Sequence, residues 1–106
     1  MREVMISIAN DFSRFPAGRF YTDGPNSGQR FLEELLYPAL SSNSKVVIDL
    51  DGASGYGSSF LDEAFGGLIR THHMNINDLK NRLEIRSSIE TYKMRIWKYI
   101  QESKPQ

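Results

Sequence analysis

The run Val46-Val47-Ile48, extended by Leu50 beyond Asp49, constrains the fold more than any other stretch of the chain. Its β-branched side chains favour an extended backbone, and an unbroken apolar run belongs to a central strand covered on both faces. Such a strand needs neighbours on either side and helices packed against it. Asp51-Gly52 then turns the chain away.

Periodicity elsewhere supplies those neighbours. Val4, Ile6 and Ile8 alternate with Glu3, Met5 and Ser7 over residues 3–8, and Leu83 and Ile85 alternate with Arg82, Glu84 and Arg86, which predicts a first and a last strand. Arg19 to Thr22 is expected to pair back as an edge strand. Phe31, Leu32, Leu35, Leu36, Ala39 and Leu40 mark one face of a helix with Ser27 as N-cap. Pro38 has no N–H for the Glu34 carbonyl, so that helix is expected to kink or end near Tyr37. Phe60, Leu61, Ala64, Phe65, Leu68 and Ile69 predict a second helix from about 59 to 71, opened by a Ser59–Asp62 capping box. Gly66 and Gly67 inside it each cost about 1 kcal/mol relative to alanine, an expense that predicts close approach to the sheet. A Ser87–Glu90 box and the stripe Ile89, Tyr92, Ile96, Ile100 predict the last helix, with Trp97 and Tyr99 at its rim.

The expected fold class is therefore α/β: a small mixed sheet, largely parallel in its centre, packed against helices. The 106 residues fit one domain, 1–106, with 101–106 as a frayed tail. With 40% apolar and 11% aromatic residues, it has material for a core without metal or disulfide.

Composition excludes several functions. No cysteine is present, so there is no disulfide, thiolate nucleophile or cysteine-ligated metal. The N-terminal apolar run is too short and interrupted for a signal peptide, and nothing approaches a span of about 20 apolar residues, so a cytoplasmic protein without membrane contact is expected. Thirteen basic and thirteen acidic residues cancel. The basic residues of the last third alternate with acids, so nucleic acid is not an expected partner.

Catalytic constellations are also missing. Gly52, Gly55 and Gly57 are followed by Ser58-Ser59 and not by the Lys-Ser/Thr of a phosphate loop, and neither serine fits a nucleophile elbow. His72 and His73 point about 100° apart on a helix, which suits a helix-end interaction with the dipole better than a metal. No cofactor and no catalytic or metal residues are assigned. Ser59 has two readings: a helix cap worth about 1 kcal/mol, or a regulatory serine whose phosphate would meet free N–H groups and the helix dipole.

The segment 46–68, running from the apolar strand through Asp49-Leu50-Asp51-Gly52 and Gly57-Ser58-Ser59-Phe60 into a helix, resembles the STAS-like family, bacterial relatives of the sulfate-transporter and anti-sigma-factor-antagonist fold. Phe15-Pro16, Gly18-Arg19, Asp23-Gly24-Pro25 and Leu36-Tyr37-Pro38-Ala39-Leu40 extend the resemblance to about two thirds of the chain. It implies a regulatory, protein-binding module in place of an enzyme. Antagonists of the wider superfamily carry Asp-Ser-Ser-Gly at this junction, with a serine phosphorylated by a partner kinase of the GHKL-type ATPase fold. By position Ser59 matches that phosphoacceptor and Ser58 the serine before it, while Gly57 replaces the aspartate and Phe60 the glycine.

The expected partner surface joins Tyr56, Gly57, Ser58, Ser59, Phe60, Asp62 and Glu63 to Arg14, Phe15 and Arg19 of the aromatic-rich loop, because aromatics and arginines in a long loop are what binding hot spots use. The alternative is a small nucleotide-binding domain or enzyme using Asp49, Asp51 and the glycine loop.

Overall fold

A computed structural model describes residues 2–106. Strands β1 (Glu3–Ser7), β2 (Lys45–Asp49) and β3 (Leu83–Arg86) form one parallel sheet in the order β1-β2-β3, with Val46 between Val4 and Leu83 and Ile48 between Ile6 and Ile85. Helix α1 covers 28–42, α2 covers 58–70, α3 is Ile76–Arg82 and α4 is Glu90–Glu102. Parallel neighbours joined in sequence by right-handed crossovers place every helix on the same side. Phe31, Leu36, Phe60, Phe65, Leu79 and Ile96 accordingly share one core with Ile6, Val46, Ile48, Leu83 and Ile85.

The α/β expectation holds, and the chain has two layers. Val47 points to the other face, outside that core, between Met5 and Glu84. Val47 is only 1% exposed but Met5 is 51% exposed, so the second face carries no helical layer. Glu84 sits there between Arg86 Nε at 2.7 Å and Lys45 Nζ at 3.3 Å, and these bonds, the Arg86 one foremost, hold its carboxyl below the ordinary carboxylate range.

Several local expectations are corrected. No strand forms at Arg19–Thr22. The Asp23 carboxylate accepts the N–H groups of Arg19 at 3.1 Å and Phe20 at 2.8 Å, which curls Tyr21–Asp23 into a 3-10 turn. The backbone groups a strand would have used go to the head of α1: Gly28 N–H donates to the Gly18 carbonyl and Gln29 N–H to that of Arg19, both at 2.9 Å.

Pro38 does not end α1. A wide π turn, Leu32–Leu36, precedes it, with Tyr37 N–H donating to the Leu32 carbonyl five residues back. A π turn leaves a carbonyl without its usual donor and proline is a position without a donor, so the two irregularities coincide and the helix continues to Ser42. A second π turn, Asp62–Gly66, lies inside α2.

The caps are also redistributed. Ser27 caps α1 as predicted, accepting from Arg30 N–H at 3.1 Å. Gly57 and not Ser59 is the N-cap of α2, and Ile89 that of α4, so neither capping box forms. Helix α3 is absent from the sequence reading. Asn75 caps it through the N–H groups of Asn77 and Asp78, but seven residues offer too few apolar repeats to reveal a period.

Gly67 faces α1 and Gly66 faces the end of α4, and neither faces the sheet. A Cβ on Gly67 would lie 2.5 Å from Leu32 Cδ2, and one on Gly66 would lie 2.7 Å from Ser103 Oγ just past α4 and 2.6 Å from Arg70 Nη1 of its own helix. The C-terminal segment is tied where fraying was expected: Arg70 Nη1 donates to Ser103 Oγ at 2.7 Å, and Gln106 N–H donates to the Arg70 carbonyl at 3.0 Å.

Arg82, last residue of α3, closes the C-terminus of α1. Its guanidinium donates to the carbonyls of Leu40, Asn43 (2.7 Å) and Ser44 (3.3 Å) and pairs with Asp78 at 2.8 Å. Hydrogen bonds from a charged donor contribute about 1.5–3 kcal/mol. Arg82→Met is therefore expected to lower unfolding free energy by about 2 kcal/mol, read as a lower denaturant midpoint at unchanged slope, with Arg82→Lys recovering only part.

Candidate functional site

The C-terminal ends of parallel strands face the segment 50–57 and the start of α2, the edge at which open α/β sheets place their sites. Tyr56 anchors this corner. Its hydroxyl donates to the Leu50 carbonyl at 2.6 Å, its ring meets Tyr92 edge-on at 5.2 Å, and its backbone N–H points to the Tyr92 hydroxyl at 3.4 Å. Gly52 (φ 96°) and Gly55 (φ 147°) supply the left-handed turns. Ser54 N–H donates to the Arg14 carbonyl at 2.8 Å, which ties the segment to the loop after β1.

On this fixed base the chain enters α2, and its residues divide by burial. Phe60 is 0% exposed, packed among Phe12, Phe31 and Tyr56, and Tyr56 is buried as well. Neither offers its side chain to a partner, which corrects the sequence reading: both are apolar rings at the layer between helices and sheet. Gly57, Ser58 and Ser59 are exposed, and among the described residues neither serine hydroxyl has a hydrogen-bond partner.

Asp62 and Glu63 are not free acids. Arg19 Nη1 lies 2.9 Å from Asp62 Oδ2 and 3.4 Å from Glu63 Oε1. From the opposite side, Arg70 lies 3.1 Å from Asp62 Oδ1 and 3.7 Å from Glu63 Oε1, and also donates to the Asp62 carbonyl at 2.9 Å. The Asp62 hydrogen bond chiefly raises the Arg19 pKa still further. The loop thus divides by role. Phe12 turns inward, edge-on to Phe31 at 5.3 Å and under the Arg30 guanidinium at 4.9 Å, while Arg14, Phe15, Phe20 and Tyr21 remain exposed, Phe15 at 67%.

The residues of the alternative reading are engaged with each other. Asp49 Oδ1 accepts Asp51 N–H at 3.0 Å, and Asp51 Oδ1 accepts both the N–H and the hydroxyl of Ser88 at 2.9 Å. The cleft above them, between Leu50–Tyr56 and Ser87–Tyr92, holds about 160 Å³, well below the roughly 300 Å³ at which ligand pockets begin. Among the described residues no three His, Asp or Glu side chains gather to hold a metal, and no helix is long and apolar enough to cross a membrane. His72 binds Glu33 through Nε2, 2.9 Å from Oε2, and stacks on Tyr37 at 3.7 Å instead of capping α2.

The sequence matches the family described as STAS-like domain of unknown function (DUF4325) over residues 27–93. The chain belongs to this STAS-like family. The matched part of the STAS-like domain begins at the Ser27 cap and holds β2, α2 and β3, hence the serine corner. It leaves out β1 and the loop that carries Arg14, Phe15 and Arg19. Comparisons with curated proteins and with solved structures gave no match.

Tyr56 gives this STAS-like domain a pH signature. Burial, with smaller contributions from Asp49, Tyr92 and Asp51, raises its phenol well above the ordinary 10.0. The neutral form is thus favoured in the folded state, and its contribution is complete below pH 10 and lost as pH climbs from there toward the raised value. Tyr56→Phe is expected to cost about 1–2 kcal/mol at neutral pH. Between pH 10 and 11.5, urea unfolding should show stability falling more steeply in the parent than in the variant.

Proposed function

We propose that this STAS-like domain is a non-enzymatic regulatory module of the cytoplasm that binds a protein partner through the corner at Gly57, Ser58 and Ser59 and the neighbouring loop residues Arg14, Phe15 and Arg19. In this reading Ser59, or Ser58 beside it, accepts phosphate from a kinase of the GHKL-type ATPase fold, and the phosphate decides whether the partner stays bound. The observation that carries it is the pair of exposed hydroxyls on the first turn of α2, without hydrogen-bond partners among the described residues and held on a base buried by Tyr56 and Phe60. Ser59 is not needed as a cap, since Gly57 takes that position, so its hydroxyl is free for chemistry. The acids that would repel a phosphate, Asp62 and Glu63, are each neutralised by two arginines.

The test is incubation of the purified domain with an ATPase of this type encoded beside it, with ATP, followed by intact-mass and peptide mass spectrometry and by size-exclusion chromatography of the mixture. Phosphate on 58 or 59, lost in Ser59→Ala or Ser58→Ala, and a complex that changes with phosphorylation are expected. Unmodified serines together with no complex would overturn the proposal.

A further inference from the structure

Arg19 comes from a loop 43 residues earlier in the chain than Asp62, yet its guanidinium lies against Asp62 and Glu63. These acids stand three and four residues after Ser59, so on a helix they share its face, one turn away. Ser58 is four residues before Asp62 and shares that side of the helix too, but it lies about 140° from Glu63 around the axis, whereas Ser59 flanks both acids. Two further features make Arg19 transferable. Its backbone is pinned, because its carbonyl accepts Gln29 N–H at 2.9 Å and its N–H donates to Asp23 at 3.1 Å, so the side chain can swing while the loop stays in place. Arg70 also touches both acids, so departure of Arg19 leaves neither unpaired.

We propose that Arg19 is the receptor for a phosphate on Ser59, moving one helical turn from Asp62 and Glu63 to form a charge-assisted pair with it. The inference rests on the phosphoserine reading above and adds the residue that reads the modification. A phosphoserine carries a charge of about −1.5 to −2 and three strong acceptor oxygens, and guanidinium grips such a group through two parallel N–H bonds more strongly than a single carboxylate contact. The pair exchanges an Arg19 that screens Asp62 for one that screens the phosphate. The exposed face then changes charge at Asp62 as well as at residue 59, beside the loop in which Phe20, the neighbour of Arg19 in the chain, is exposed. Phosphate on Ser58 would flank Asp62 alone and not Glu63, and so would draw Arg19 less fully.

The test installs phosphoserine directly at 59 or at 58 during synthesis, without any kinase, and follows the phosphate by ³¹P NMR against pH in the full chain. The second ionisation of phosphoserine lies near pH 6. In the 59 form it is expected about one pH unit lower in the parent than in Arg19→Gln, with Arg19→Lys keeping part of the lowering and the 58 form showing a smaller one. Amide spectra of the unphosphorylated Arg19→Gln variant should retain native dispersion, since Arg70 still pairs both acids. An ordinary value at 59 in the parent, or a lowered value that survives Arg19→Gln, would overturn the assignment. Because the phosphate is supplied synthetically, this outcome is independent of whether a kinase or partner is ever found.

Discussion

Phe60→Ala is expected to cost about 3–5 kcal/mol of unfolding free energy, a large share of the 5–15 kcal/mol typical of a domain. The ring is fully buried where three elements meet, with the rings of Tyr56, Phe31 and Phe12 at 5.9, 6.1 and 6.2 Å. The backbone around it is fixed by α1 on one side and Tyr56 on the other, so the cavity cannot close. Guanidinium unfolding followed by circular dichroism measures the loss, and Ser59→Ala, one residue away but exposed, is the control, expected within about 0.5 kcal/mol of the parent. A small effect at Phe60 would mean that α2 does not enter the core as described.

Gly28→Ala is the second large effect. A Cβ there would meet the Phe60 carbonyl oxygen at 2.5 Å and the Ala64 nitrogen at 3.2 Å, both backbone atoms of α2. Backbone cannot rotate aside, so the heads of α1 and α2 must separate, at a cost of about 3 kcal/mol, the upper range for overpacking. Gly67→Ala is the informative comparison. Its nearest neighbour, Leu32 Cδ2, is also at 2.5 Å, but it is the tip of a flexible side chain. A new rotamer relieves that clash, and alanine's better helix propensity returns about 1 kcal/mol. Thermal melts should therefore rank Gly28→Ala well below Gly67→Ala. The reverse order would place the tight crossing elsewhere.

The sequence made the strands and the apolar helix faces legible because they are written in short-range periodicity. Val46-Val47-Ile48 and the alternations around Ile6 and Leu83 each occupy their predicted strand. It hid whatever depends on partners far along the chain. The aromatics from Phe12 to Tyr21 look alike as text, yet Phe12 belongs to the core because Phe31 stands opposite, while Phe15 has nothing opposite it. Gly66 and Gly67 signalled a close approach, but a glycine does not say which neighbour approaches; Gly28, whose close neighbours are backbone atoms of α2, gave no signal beside its Ser27 cap. At the candidate site, Ser58 and Ser59 were identified through a family resemblance, and Phe60 was misassigned to the surface because it sits next to them. Asp62, Glu63 and Arg19 all read from the sequence as contact residues. That they contact each other follows only from the fold bringing the 13–24 loop across α2.

The two wide turns give α1 and α2 a fixed gearing. Through Phe60 and the first residues of the Asp62–Gly66 turn, α2 bears on Gly28; downstream of the turn it bears on Leu32 through Gly67. Deleting one residue between these two contacts would rotate the leading end of α2 by about 100° and draw it in by about 1.5 Å, so the threads would no longer mesh and Ser59 would turn from its present direction. Length changes should therefore be accommodated better in the partly exposed 71–75 connection and resisted between 60 and 67, where the angle at which the serine corner faces its surroundings is set.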